Sequence, residues 1–184
     1  QKEGYKIIIT SGGYSNYIKY FAKDFDIDIN DIIATDIAFD SNEICKGKIE
    51  YGDRFYHCWK TQGHGSMNIE KAIKESCDVF FYELSKKIGI DKIAQMAKEF
   101  GLGQKYQIGL ENEKQGIVPS KKWKKEKLKE SWYAGETLIT GIGQGYLLAT
   151  PLQLAVMTAR IASDGIKIEP TLFKRKEKKV FDKI

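Results

Sequence analysis

Long apolar runs are missing from this sequence of 184 residues. The best candidate for a membrane span, residues 146–162, is interrupted by polar residues and by Pro151, so we expect neither a span nor a signal peptide. Because the chain begins with Gln1 rather than Met, we expect it to be an excised piece of a longer protein.

The composition also lacks the extremes that mark special classes of chain. Hydrophobic residues make up 42% and only three prolines occur, which excludes intrinsic disorder and collagen-like repeats. The net charge is +5, from 30 basic against 25 acidic residues, and this small excess does not indicate nucleic-acid binding. The length allows one generous domain or two small ones.

The first forty residues differ in pattern from the rest. Residues 5–10 form a β-branched run that ends at Ser11 and two glycines, which predicts a buried strand followed by a tight turn. Residues 17–25 have helical apolar spacing, and residues 26–40 contain a further strand candidate. This β-α-β order is typical of an α/β sheet edge.

From residue 45 onward the pattern is mainly helical. Asn68 is a candidate N-cap for a helix whose apolar positions continue over residues 69–88, with Gly89 as its stop. Asp91 is a candidate cap for a second helix over residues 93–100.

Two later segments carry clear local signals. Thr150, Pro151 and Gln153 have the spacing of a helix start with a capping box, and that helix is predicted to run to about Ser163. Residues 113–130 hold seven lysines, which predicts a solvated surface segment rather than a nucleic-acid patch.

All three cysteines and one of the two histidines fall within 33 residues, in the spacing C-x12-C-x5-H-x12-C. Zinc favours four thiolate and imidazole ligands, but no pair here forms the close knuckle of a zinc finger. Three interpretations remain open from spacing alone: a zinc site, buried free thiols, or a disulfide between the first two cysteines. The residues are Cys45, Cys58, His64 and Cys77.

Ser76, Cys77 and Asp78 lie inside the predicted helix 69–88. On an unbroken helix the side chains of Ser76 and Asp78 point about 200° apart and do not serve one site. Either they are unrelated helix residues, or the helix breaks there and presents both to a cleft.

Several segments together resemble the transpeptidase domain of the penicillin-binding protein 2 family, the class B enzymes of bacterial rod elongation. The resemblance covers about residues 45–174 and is carried by residues 52–60, 63–65, 75–82 and 141–153. It implies an α/β penicillin-recognising serine transpeptidase fold, of which this chain holds mostly the helical part. It also implies acyl transfer from the D-Ala-D-Ala end of peptidoglycan stem peptides, with β-lactams as covalent inhibitors.

The resemblance assigns roles to individual residues. Ser76-Cys77-Asp78 matches the family's Ser-x-Asn/Asp motif, so Ser76 would relay a proton and Asp78 would bind the substrate's peptide amide. The helix would then be broken at this motif. Some members carry a zinc ion beside it, and matching ligand positions imply a structural zinc held by Cys45, Cys58, His64 and Cys77.

The same resemblance implies partners and a location. Members of the family work with membrane proteins of rod elongation, are anchored in the bacterial inner membrane and hold this domain in the periplasm. No nucleic-acid partner is implied.

Two motifs of the family are missing from the printed sequence. None of the nine serines has a lysine three residues later, so the Ser-x-x-Lys nucleophile motif is absent, and no Lys-Ser/Thr-Gly occurs. We therefore expect this part of the domain to be inactive in acylation by itself.

Residues 4–44 resemble a fragment of the haloacid-dehalogenase phosphatases, of the phosphoserine-phosphatase type. The resemblance implies that Ser11 binds phosphate with the following backbone amides. The sequence thus predicts a phosphatase-like fragment at 1–44 and a partial transpeptidase domain at 45–184, joined as a chimera. The alternative functions are a phosphohydrolase fragment or a non-catalytic, zinc-stabilised module.

Overall fold

A computed structural model of the chain describes residues 43–173 and 181–184. The strands are β1 (Glu43–Cys45), β2 (Lys48–Tyr51), β3 (Arg54–His57) and β4 (Gly65–Met67). The helices are α1 (Ile69–Glu75), α2 (Asp78–Ile88), α3 (Ile90–Glu99), α4 (Lys121–Lys127), α5 (Ala134–Gly141) and α6 (Pro151–Ala162).

The strands form two small antiparallel pairs. β2 and β3 make a hairpin in which Tyr51 pairs with Arg54 across a two-residue turn. β1 pairs with β4, so that Cys45 lies opposite Gly65. The hairpin therefore occupies the chain between the two partners of the other pair.

The apolar run over residues 69–88 forms two helices rather than one. Asn68 caps α1 as predicted, since its side chain accepts a hydrogen bond from the amide of Lys71 at 2.9 Å. α1 ends at Glu75 and α2 begins at Asp78, so the break implied by the family resemblance is confirmed. Helical periodicity by itself does not reveal it, because α1 and α2 both continue the apolar pattern.

The cap predictions for the later helices were right at one site and wrong at another. Thr150 and Gln153 form the expected capping box, and α6 ends at Ala162. Asp91, in contrast, lies inside the first turn of α3, because Gly89 both ends α2 and caps α3 without a linker.

Buried apolar residues form two clusters. α2 packs mainly against α5 and also contacts β1, α1 and α3. The first cluster holds the three cysteines together with residues of β4, α1, α2 and α5: Cys45, Cys58, Met67, Ala72, Cys77, Val79, Phe80, Tyr82 and Leu138. The second cluster contains Ala94, Ala97, Leu102 and Val118.

The lysine-rich segment is only partly the solvated surface that the sequence predicts. Lys121 and Lys122 on α4 are exposed, but the Lys124 side chain is just 1% exposed. Its Nζ forms ion pairs with Glu136 of α5 and, at 3.4 Å, with Glu130. The prediction is therefore wrong for Lys124, because carboxylates distant in sequence compensate its burial.

Two sequence interpretations concern parts of the chain outside the described residues. Ser11 and nearly all of the phosphatase-like fragment at 4–44 lie there.

Among the described residues, no helix combines the length and apolar character that crossing a membrane requires.

Candidate metal centre and active-site turn

Cys45, Cys58, His64 and Cys77 converge in the structure. Their ligand atoms, three sulfurs and one imidazole nitrogen, all lie within 4.8 Å of one another. His64 Nδ1 lies 3.5 Å from the sulfur of Cys45 and 3.5 Å from that of Cys58. We call this group the cysteine–histidine cluster.

Local backbone geometry brings the four residues together from separate segments. Cys45 ends β1, Cys58 follows β3, His64 precedes β4, and Cys77 lies between α1 and α2. The amide of Cys58 donates to the carbonyl of Gly47 at 2.7 Å, which closes the hairpin beside the cluster.

The reversal between Cys58 and His64 depends on Gly63. Its φ is +83°, and an added Cβ would lie 2.2 Å from the carbonyl oxygen of Cys45. The backbone therefore approaches β1 too closely for any side chain.

Burial dominates the electrostatics of the cluster. Burial raises the pKa of the Cys77 thiol, and burial likewise raises the pKa of Cys58. All three cysteines are free thiols, so the Cys45–Cys58 disulfide is not formed. Among the described residues, the buried Nε2 of His64 has no hydrogen-bond partner.

These donors fit a metal ion. Three sulfurs and an imidazole nitrogen at mutual ligand distances are the donor set of structural zinc sites. A cation at their centre would favour the thiolates that burial disfavours. The structure itself shows that the four side chains converge.

The second feature is the turn between α1 and α2, which we call the Ser-x-Asp turn (Ser76–Asp78). Ser76 adopts the left-handed conformation, with φ 52° and ψ 52°. A non-glycine residue in this region costs on the order of 1–3 kcal/mol and persists only where its surroundings impose it. The amide of Cys77 donates to the carbonyl of Ala72 at 2.9 Å and fixes the end of α1.

Trp59 forms hydrogen bonds at both ends of this turn. Its backbone N–H donates to Asp78 Oδ2 at 2.9 Å. Its indole N–H donates to the carbonyl oxygens of Glu75 at 3.1 Å and Ser76 at 2.9 Å. Sequence reasoning assigned no role to Trp59; its position directly after Cys58, within a segment of the family resemblance, was the available signal.

The helix break therefore brings the sequence-predicted site residues together. Ser76 and Asp78 belong to one short turn, and Cys77 between them reaches the cysteine–histidine cluster. The arrangement offers a hydroxyl and a carboxylate at one turn, beside four potential metal ligands.

Comparison with known proteins identifies the family. Residues 35–183 match the family described as "Penicillin binding protein transpeptidase domain". The chain belongs to this family. The match begins inside the segment interpreted as phosphatase-like, and the comparisons give no support to that interpretation or to the phosphohydrolase alternative.

Individual relatives agree with this assignment. The chain is 42% identical over 124 residues to the peptidoglycan D,D-transpeptidase MrdA of Salmonella typhimurium, which covers 67% of this chain and 20% of that protein. It superimposes with a TM-score of 0.68 and 42% identity on the crystal structure of Pseudomonas aeruginosa PBP2 in complex with WCK 5153, over 71% of this chain and 29% of that one.

A second similar structure is the complex between penicillin-binding protein 2 and MreC from Helicobacter pylori. Its TM-score is 0.65 at 40% identity, over 73% of this chain and 25% of that one. The chain thus spans about a fifth of the length of the curated transpeptidase relatives. Its mixed helix and sheet fold is that of a partial penicillin-binding transpeptidase domain, as the sequence predicted.

Proposed function

We propose that this chain forms the middle part of a peptidoglycan D,D-transpeptidase domain and supplies its Ser-x-Asp motif. The observation that carries the proposal is the helix break, which brings Ser76 and Asp78 to one turn. Family membership and the transpeptidase relatives support it.

Each residue has a distinct role in the proposed reaction. The Ser76 hydroxyl relays a proton between the nucleophile's lysine and the leaving amine. The Asp78 carboxylate accepts a hydrogen bond from the peptide amide of the stem peptide. The nucleophile itself comes from a Ser-x-x-Lys motif, which the printed sequence lacks.

A chimera tests these roles. Residues 43–173 replace the matching segment of Salmonella MrdA, and the rate of covalent labelling by a fluorescent penicillin is measured. We expect Ser76→Ala and Asp78→Ala to slow labelling about 100-fold or more, as loss of proton relay or substrate orientation does. Ser66→Ala, at an exposed serine on β4, is the matched control.

The possible outcomes distinguish loss of a catalytic role from a general loss of folding. Full labelling in the Ser76→Ala chimera would contradict the proton-relay role. The chain of 184 residues alone should acquire no label, and a labelled serine peptide from it would overturn the proposed need for a separate nucleophile.

We also propose that the cysteine–histidine cluster holds a structural zinc ion. Four protein ligands complete a tetrahedral zinc site and leave no position for a catalytic water, so the ion would stabilise the turn rather than take part in the reaction. Cys77 would tie the centre of the Ser-x-Asp turn directly to the metal.

Elemental analysis tests the metal. We expect one zinc per chain, retained in His57→Ala and lost in His64→Ala and Cys77→Ser. His57 is the matched control, because it is an exposed histidine near the cluster that is not one of its four ligands. Equal zinc content in His57→Ala and His64→Ala would contradict the assignment.

Partners and location follow from the same family membership. We propose that the parent protein is anchored in the inner membrane, acts on stem peptides in the periplasm, and binds β-lactams and membrane proteins of rod elongation. The Helicobacter pylori complex with MreC supports the last point. Co-purification of MreC with the chimera, against a chimera lacking residues 43–173, tests it.

A further inference from the structure

Trp59 is an exposed aromatic residue whose two N–H donors both form hydrogen bonds. The residue is 64% exposed, yet both its backbone N–H and its indole N–H donate hydrogen bonds. An exposed tryptophan without such anchors samples several rotamers. Here the two donors at opposite ends of the residue fix the position of its ring.

The acceptors of these hydrogen bonds all belong to the helix break. The backbone N–H binds the carboxylate of Asp78, the first residue of α2. The indole N–H binds the carbonyls of Glu75 and Ser76, at the end of α1. Trp59 thus spans the gap between the two helices and contacts both sides of it.

The other contacts of Trp59 lead to the cysteine–histidine cluster. Trp59 is bonded directly to Cys58, and its ring packs edge-on against the His64 ring, with centroids 5.3 Å apart. Displacement of either of these two ligands therefore displaces the donor groups that hold the Ser-x-Asp turn.

We propose that Trp59 is a positioning residue that couples the cysteine–histidine cluster to the Ser-x-Asp turn. The inference rests on the proposed function, because the positions of Ser76 and Asp78 matter for acyl transfer only if these residues have their proposed roles. The indole N–H keeps Ser76 in its left-handed conformation by holding the carbonyls that flank it. The backbone N–H fixes the carboxylate rotamer of Asp78.

The indole contact is tested by hydrogen exchange in the 184-residue chain. Trp59→Phe removes the indole N–H but keeps a ring beside His64. We expect exchange at the Cys77 amide, which donates to Ala72, to accelerate at least tenfold. Trp132→Phe is the matched control, because it removes an indole hydrogen bond to Thr137 elsewhere and should change this amide less than twofold.

The thermal unfolding midpoints of the two variants show whether the effect is local. A similar midpoint with faster exchange only in Trp59→Phe supports the proposal. Equal exchange rates at Cys77 in both variants would overturn it.

The hydrogen bond from the Trp59 backbone N–H is tested by replacing its acceptor, Asp78. Asp78→Asn keeps a side-chain oxygen for the Trp59 amide, whereas Asp78→Ala removes it. We expect the Trp59 amide to remain protected from exchange in Asp78→Asn and to exchange at least tenfold faster in Asp78→Ala. Equal protection in the two variants would show that the hydrogen bond does not fix this end of the turn.

The coupling to the metal is tested by the ¹⁵N-indole signals of the three tryptophans. Removal of zinc should shift or broaden the signal of Trp59 and leave those of Trp123 and Trp132 in place. An unmoved Trp59 signal in a chain that has lost its zinc would overturn the coupling.

Failure of the proposed function gives a different result. A chain that binds no zinc overturns both the metal site and the coupling, while the exchange experiments still decide the hydrogen-bond contacts. A chimera that labels normally without Ser76 overturns the catalytic role and leaves both sets of measurements unaffected.

Discussion

Two groups of polar side chains compensate the burial of their central atoms differently. In the Lys124 cluster (Lys124, Glu130, Tyr133, Glu136 and Tyr146), one cation lies between two carboxylates and two aromatic rings. The cysteine–histidine cluster has four potential ligands for a metal ion.

The two clusters differ in what acts against the effect of burial. Burial by itself lowers the pKa of Lys124, but the charge and hydrogen bonding of Glu136 outweigh it and leave that pKa above its ordinary value. In the cysteine–histidine cluster, burial raises the pKa of Cys58 and of Cys77, because desolvation disfavours their thiolates. One cluster is neutralised from within, and the other is suited to an ion from solution.

Removal of zinc should have the largest effect and should be confined to one cluster. Structural zinc contributes apparent binding free energies of roughly 10–16 kcal/mol in small zinc-binding peptides at pH 7. We therefore expect a chelator to lower the thermal unfolding midpoint more than any substitution below, and to expose the amides of β1 and β4 to exchange. Unchanged protection there would contradict the comparison; the amides of α4 serve as the internal control.

Replacement of Lys124 should have the next largest effect. Lys124→Met leaves Glu136 partly buried without its partner, so the midpoint should fall, whereas Lys125→Met, at an exposed neighbour, should leave it unchanged. The double variant Lys124→Met/Glu136→Gln should lose less than the sum of the two single losses. Additive losses, measured by denaturant unfolding, would show that the pair is not coupled.

Sequence reasoning predicted features that depend on neighbouring residues and missed features that depend on residues distant in sequence. The helix starts at Asn68 and Thr150 were predictable, since caps are local in sequence. The burial of Lys124 was not predictable, because its partner Glu136 lies 12 residues away on another helix.

The candidate site shows the same limit. The four ligands and the Ser-x-Asp turn came from spacing and family resemblance, and the structure brings them together. The role of Trp59 could not be inferred from spacing or resemblance. The acceptors of its hydrogen bonds are 16 to 19 residues distant, and two of them are backbone carbonyls. Backbone acceptors leave no signature in side-chain sequence.

A smaller effect is expected where the hairpin meets α5. A Cβ at Gly135 would lie 1.9 Å from the hydroxyl oxygen of Tyr56 on β3. Gly135→Ala should therefore cost about 1–3 kcal/mol in the free energy of unfolding, through overpacking. Adding Tyr56→Phe removes the obstructing oxygen and should recover part of the loss; no recovery in urea unfolding would place the cost elsewhere.

The smallest effect concerns alkaline pH. Burial, followed by the nearby charges of Asp78 and Cys58, raises the pKa of Tyr82 to about 12. The unfolded chain ionises this group near pH 10, so its contribution to stability is complete below about pH 10 and is lost as pH rises towards 12.

Tyr82→Phe checks the sign of this dependence. Its unfolding free energy should fall less steeply between pH 10 and 12 than that of the parent chain, by at most about 1.4 kcal/mol per pH unit. Identical slopes would show that Tyr82 ionises as readily in the folded chain as in the unfolded one.

The length of the β2–β3 hairpin does not determine the positions of Cys45 and Cys58. Cys45 and Cys58 flank the hairpin, and the Cys58–Gly47 hydrogen bond closes its base. Residues added at its tip, beside Gly52 and Asp53, therefore need not move either cysteine. This tip is where a reporter peptide or an affinity tag is best accommodated without disturbing the cysteine–histidine cluster.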